Sequence, residues 1–240
     1  MSVLALRLAG PLQSWGAASR FVRRTTESAP TKSGVVGLLA AAAGIERGDD
    51  TRLAPLAALR FGVRIDQPGT RIRDFHTAHH AVTGKSMPLT ERFYLADAVF
   101  VAAVEGDHEL LAGLRAAVRA PVYPPFLGRR SCPPSAPLDL GLHQDRSLGD
   151  VLAEVPWQAS AWYRRQRRHD PPAGLPVLRE ATGAGETADA DTLRDQPLSF
   201  AAEHRRHALR TVVTTRVPVP VPSGAPVWHD PLAALEEENV

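Results

Sequence analysis

Thr31, Lys32 and Ser33 stand between Pro30 and the apolar run 35–45, a composition that opens a helix. A helix N-terminus with free N–H groups, an ammonium and two hydroxyls can hold one phosphate, although an ordinary capped helix needs the same residue types. The phosphate loop of nucleoside triphosphatases is stricter, with glycine directly before the lysine and again five residues earlier. Thr31 and Thr26 occupy those positions, which excludes that chemistry. Just upstream lie Gln13, Ser14 and Trp15 within Gly10-Pro11-Leu12-Gln13-Ser14-Trp15-Gly16, followed by Arg20, Arg23 and Arg24. Arginine offers bidentate phosphate contacts and stacks on bases. Trp15 suits base stacking or, equally, a buried packing role. Together these are the parts of a polyanion cradle.

Further along, His76, His79 and His80 form His-x-x-His-His in a polar segment that also holds Lys85. On a helix His76 and His80 would share a face, but no Asp, Glu or Cys stands at a zinc spacing, so no metal is expected. These side chains suit phosphate contact or base stacking. Their near-neutral pKa would also suit acid–base cleavage of RNA. Arg129 and Arg130 follow Gly128, which would let a ligand approach closely. Cys132 lies in a proline-rich stretch with no identifiable base and reads as a packed or tolerated thiol. With no Ser-His-Asp arrangement, dinucleotide fingerprint or acidic metal cluster in view, no catalytic residue and no cofactor are expected.

The elements that must position these groups follow from periodicity. At 240 residues and 44% hydrophobic content the chain can bury a real core. Its apolar runs are too short to span a bilayer, and the N-terminus lacks a signal-peptide pattern, so a cytoplasmic protein without membrane contact is expected. One cysteine excludes an intramolecular disulfide. Net charge is only +2, yet the first 47 residues carry six basic side chains against two glutamates. Two further basic knots lie at 164–168 and 205–210. Lys32 and Lys85 are the only lysines among 28 basic residues, a bias that GC-rich codon usage also explains.

Alternation predicts strands over 3–8 and 60–66, a long apolar strand over 93–104 and a short one near 122–127. Helical spacing predicts helices over 31–45, 107–121 and 147–155. The polar segment 67–92 reads as an insert, 131–137 as a linker and 182–197 as an exposed acidic loop. The Val-Pro alternation of 212–221 reads as an edge strand. The order β-α-β-(insert)-β-α-β predicts an α+β, ferredoxin-like (RRM-like) domain over 1–130. Two helices would cover one sheet face and leave the other open to a ligand. A smaller irregular C-terminal lobe is expected over 131–240.

Several of these segments together resemble the CasD subunits of type I-E CRISPR Cascade, of the RAMP superfamily. The resemblance is carried by 8–16, Ser19-Arg20-Phe21, 30–39, Arg73-Asp74-Phe75-His76-Thr77-Ala78, Tyr94-Leu95-Ala96-Asp97-Ala98-Val99-Phe100, Leu127-Gly128-Arg129-Arg130-Ser131-Cys132-Pro133, Arg194-Asp195-Gln196-Pro197 and 206–212. It implies a RAMP domain whose insert at 67–92 is a thumb-like β-hairpin. It further implies a non-catalytic subunit in antiviral defence that grips the 5′ handle of the CRISPR RNA and caps one end of the backbone. The implied partners are that RNA, the CasC backbone and CasA large subunits, and target DNA through the assembled complex. Placed on these motifs, Gln13, Ser14, Trp15, Arg20, Arg23, Arg24, Thr31, Lys32, Ser33, His76, His79, His80, Lys85, Arg129 and Arg130 become the expected RNA contacts. The competing reading is a metal-independent endoribonuclease that processes precursor CRISPR RNA.

Overall fold

The computed structural model describes residues 1–16, 23–183, 186 and 190–220. The chain is mixed α+β. Strand β1 (Ser2–Ala9) and the short β2 (Leu12–Gln13) and β3 (Arg23–Arg24) precede helices α1 (Lys32–Ala42) and α2 (Asp50–Ala58). Strands β4 (Arg60–Gln67), β5 (Thr70–His76), β6 (Thr90–Ala96) and β7 (Val99–Gly106) lead to α3 (His108–Arg119). Then come β8 (Asp139–Gln144), α4 (Leu148–Glu154), α5 (Ala161–Gln166), β9 (Leu175–Glu180), β10 (Asp191–Ser199) and β11 (Arg206–Val217).

Seven strands form one antiparallel sheet in the order β10-β11-β9-β4-β7-β1-β8. β1 and β4 flank β7 and run parallel to each other, joined by the crossover through α1 and α2. β7 and β8 flank β1 and are joined through α3. These two crossovers interleave. β6 organises the second sheet, with β5 on one side and β2 and β3 sharing the other.

The strand composition explains the layering. On β1, Leu4, Leu6 and Leu8 enter a core with Val35, Leu39, Phe61, Phe100 and Leu111 under α1, α2 and α3. Val3 and Ala5, on the opposite face, are also fully buried, with Val101, Ala103 and Val177 beneath Leu148, Val151 and Leu152 of α4. A strand apolar on both faces needs cover on both. The expected open face is therefore closed, and a ligand must be met elsewhere.

Several sequence expectations change in detail. The stretch 93–104 is two strands, because Asp97 takes a left-handed conformation (φ 57°) and bends the chain from one sheet into the other. Gly69 (φ 72°) makes the matching bend in the partner strand; a Cβ there would lie 2.5 Å from the Ala96 carbonyl oxygen. The result is a bent two-stranded ribbon, and its outer half, β5 with β6, occupies most of the polar insert. Residues 122–127, interrupted by Pro124 and Pro125, form no strand; the strand that follows α3 is β8. Within 131–137, Cys132 is buried in the main core and Ser135 N donates to the Ala9 carbonyl (2.9 Å), so this largely exposed segment is tied to the first sheet. The acidic segment contributes β10, which pairs with β11 from Arg206 to Val212, while Val212–Val217 pairs with β9; beyond Val212 the strand has a partner on one side only, as an edge does. Helix α2 was hidden in the sequence by Pro55 and by its small buried face of Leu53, Leu56 and Ala57.

The helix starts follow their caps. Thr31 accepts from Gly34 N, Asp107 from Leu110 N, and Ser147 forms a capping box with Asp150. No helix among the described residues is long and apolar enough to cross a membrane.

Candidate nucleic-acid interface

The segment after β1 is locked before it can offer anything to a ligand. Gln13 Nε2 donates to the carbonyls of Leu8 (3.1 Å) and Ala98 (2.7 Å), and Trp15 Nε1 donates to Gln13 Oε1 (3.1 Å). Ser14 Oγ donates to the Phe93 carbonyl of β6 (3.0 Å), and Trp15 N donates to Thr26 Oγ1 (2.9 Å). Trp15 is wholly buried, which settles it as a core side chain in this structure. Gly128 (φ 83°) is required where 127–130 crosses this segment, since a Cβ there would collide with the Ser14 carbonyl. The close approach at this glycine is thus made by the chain itself.

The N-terminus of α1 already holds an anion. Lys32 N donates to Asp195 Oδ2 (2.8 Å), and the same carboxylate takes both Nε and Nη2 of Arg210 at 2.8 Å. Lys32 Nζ, buried, donates to Glu180 Oε1 (2.8 Å). Burial lowers the Lys32 pKa and Glu180 opposes the shift. Thr31 and Ser33 are buried beside it. The phosphate expected at this helix is replaced by Asp195.

Beside α1 lies a cleft of about 910 Å³. One wall is the small-residue stripe Gly34, Gly37 and Ala41; the other includes Tyr123, Phe126 and Phe200. Arg47, Arg130, Arg205 and His207 supply its basic groups, against Glu46 and Asp49. Ser14, Trp15, Thr31 and Ser33 stand in the wall from beneath. Burial and then Arg205 push the His207 pKa below its ordinary value, and burial and then Arg47 lower that of Arg205. Closely spaced cations of this kind are relieved by a bound anion.

From the cleft a basic ribbon continues along β6. Ser14 joins the two, lining the cleft and bonding to β6. Arg129 lies over the Tyr94 ring (4.6 Å) and donates to the Arg24 carbonyl (3.0 Å). Arg71 and Arg23 both cover the Phe93 ring, at 4.7 and 5.3 Å. Glu91 tempers the ribbon through Arg23 and Arg73. Arg129 Nη1 and Arg92 Nε are buried and have no hydrogen-bond partner among the described residues. Such groups are costly when left unpaired, and a guanidinium turned outward onto a phosphate would pair them.

The expected contacts are thereby sorted. Arg23, Arg24, Arg129 and Arg130 gather on the ribbon and at the cleft; Arg20 lies outside the described residues. His76, His79, His80 and Lys85 are exposed toward the outer end of the β5–β6 hairpin. His76 Nε2 meets Asp74 Oδ2 (2.8 Å), His79 Nδ1 meets the Gly84 carbonyl (3.2 Å), and His80 Nδ1 accepts from Val82 N and Thr83 N. His76 sits on a strand, so the helical pairing of His76 with His80 does not arise. Arg205 and Arg206 part company: Arg205 faces the cleft, while Arg206 pairs with Asp50 (3.5 Å). Sequence reasoning left Tyr123, Phe126, Phe200, His207, Arg71 and Arg92 out of the site. The aromatic-proline run 123–126 and the Arg-Arg doublet at 205 were the available signals.

An aromatic- and arginine-lined cleft that runs into a basic ribbon on an α+β fold has the chemistry to hold a nucleic-acid strand. The family model described as CRISPR-associated protein (Cas_Cas5) matches residues 3–213, and the chain belongs to that family. It is 38% identical over 161 residues to the CRISPR system Cascade subunit CasD of Escherichia coli (strain K12), covering 60% of this chain and 72% of the relative. A crystal structure of a Cas protein superposes with a TM-score of 0.68 at 36% identity, covering 90% of this chain and 95% of the other. A chain of a CRISPR RNA-guided surveillance complex gives a TM-score of 0.67 at 34% identity, covering 90% and 91%. The family resemblance read from the sequence is confirmed.

Proposed function

We propose that this chain is a CasD-type, non-catalytic subunit of a CRISPR surveillance complex, holding the 5′ handle of the CRISPR RNA in the cleft and along the β6 ribbon. One observation carries the reading: an aromatic cleft edged by Arg47, Arg130 and Arg205 runs into buried, unpartnered guanidinium nitrogens of Arg92 and Arg129. The likeness to the Escherichia coli Cascade subunit supports it. Arginine clusters with stacking surfaces fit single-stranded RNA, whose bases are splayed and whose phosphates are accessible. Of the residues expected from the sequence, Arg23, Arg24, Arg129 and Arg130 touch the RNA; Gln13, Ser14, Trp15, Thr31, Lys32 and Ser33 position the cleft wall.

The interleaved order of β1, β4, β7 and β8 supports a ferredoxin-like core, and β5 with β6 is the thumb-like hairpin that meets a neighbouring backbone subunit. Contacts to the backbone and large subunits, and through them to target DNA, follow from this role, as does a cytoplasmic setting. The test is repeat RNA incubated with the full chain in EDTA. A gel shift without scission is expected. Site-specific scission lost on His76→Ala, His79→Ala or His80→Ala would overturn the non-catalytic reading.

A further inference from the structure

α5 contributes no side chain to either core, yet it is firmly held. Trp157 Nε1 donates to the Asp66 carbonyl (2.9 Å), Gln158 N to Asp66 Oδ2 (2.6 Å), and Ser160 N and Oγ to Gln67 Oε1 (3.1 and 2.9 Å). Asp66 is itself fixed by Arg64, which donates from Nε and Nη2 and reaches the carbonyls of Leu152, Val155 and Pro156. A buried ion pair thus anchors a helix whose residues face outward.

What α5 presents is specific. Trp162 is 48% exposed and meets Tyr163 edge-on (5.7 Å), which in turn meets Trp157 (6.3 Å). Arg167 lies over the Tyr163 ring. Residues 157–170 hold four arginines against one aspartate, Asp170, which takes Arg167. Arg164 and Arg165 are exposed and make no ion pair among the described residues. None of these residues lines the cleft or the β6 ribbon.

We infer that the face formed by Trp162, Tyr163, Arg164 and Arg165 is a second, sequence-independent site for single-stranded nucleic acid, separate from the handle site. The exposed indole offers a stacking plane, which a duplex with paired bases cannot use and a single strand can. The two free guanidinium groups take the phosphates on either side. An acidic protein surface would satisfy the charges and leave the indole without a partner.

The test uses the full chain with fifteen-nucleotide oligo-deoxythymidine and oligo-uridine probes carrying one 4-thio base. Photo-crosslinks should map within 157–168 and persist in Arg130→Gln, a cleft variant, so that failure of the handle reading leaves this outcome legible. Loss of one stacked base predicts that Trp162→Ala weakens the crosslinked mode at least about fivefold. The double variant Arg164→Gln/Arg165→Gln should lower the salt slope of that mode by about 1.4. Both changes are on exposed side chains, so an unchanged circular-dichroism melt certifies folding. Loss confined to the uridine probe assigns an RNA strand, loss confined to the thymidine probe a DNA strand, and loss in both a shared site; each supports the inference. Crosslinks absent from 157–168 would overturn it. So would wild-type affinity in both variants, or variants that lose only polyglutamate binding.

Discussion

Burial decides which of the basic and aromatic residues remain available to a ligand. Lys32 and Trp15 were read from residue type and neighbourhood, and those signals cannot tell a buried ion pair or a core indole from a surface contact. Asp195 and Glu180, the partners that claim Lys32, lie 163 and 148 residues away in sequence. Arg129 and Arg130 were legible because glycine and paired arginines persist as a local pattern. His207 was not, because it is brought to the cleft by β11. Its pKa is lowered by burial and Arg205, so the folded chain binds fewer protons than the unfolded chain near the ordinary value of 6.5. Its contribution is full above pH 6.5 and is lost as pH falls from there through the lowered pKa of the folded chain. Thermal melts of the free chain should therefore fall in that window, and His207→Gln should flatten the fall. An equal slope in the variant would show that other groups govern it.

Elements were legible where one face is apolar and capped, as in β1, β4, α1, α3 and α4. They were misread where a single residue bends the chain (Asp97), where proline interrupts a short helix (Pro55), and where a strand is polar along much of its length (β10). Helix α1 shows the same limit in its glycines, both of which suggested close packing. A Cβ on Gly34 would lie 2.8 Å from Trp15 Cε3, whereas one on Gly37 would lie 3.8 Å from Phe200. Gly34→Ala should then destabilise by about 1–3 kcal/mol through overpacking. Gly37→Ala should stabilise by up to about 1 kcal/mol through helix propensity. Denaturant midpoints check both, and equal effects would refute the tight contact of Gly34 with Trp15 and the room beside Gly37. The clasp from β4 to the chain after α4 is a third element-scale feature. Arg64→Leu strips Asp66 of its buried cation and should cost about 3–5 kcal/mol. A loss under 1 kcal/mol in urea unfolding would mean the clasp is not structural.

For the whole molecule, a sheet sandwiched between α1–α3 and α4 displaces recognition from the sheet face to the cleft and the β6 ribbon. The α+β class followed from periodicity. The closed second face did not: α4 is legible as a helix, but nothing local in its sequence says which surface Leu148, Val151 and Leu152 cover. The account rests on one continuous basic path, from Arg130 at the cleft to Arg129 and Arg24 on the ribbon. The direct measurement is the affinity of the full chain for repeat-derived 5′-handle RNA across a salt series. Single-strand counterion release predicts that the triple variant Arg24→Gln/Arg129→Gln/Arg130→Gln lowers the slope of log K against log salt by about 2. A slope equal to that of the unmodified chain, with affinity unchanged, would contradict the proposed path of the RNA.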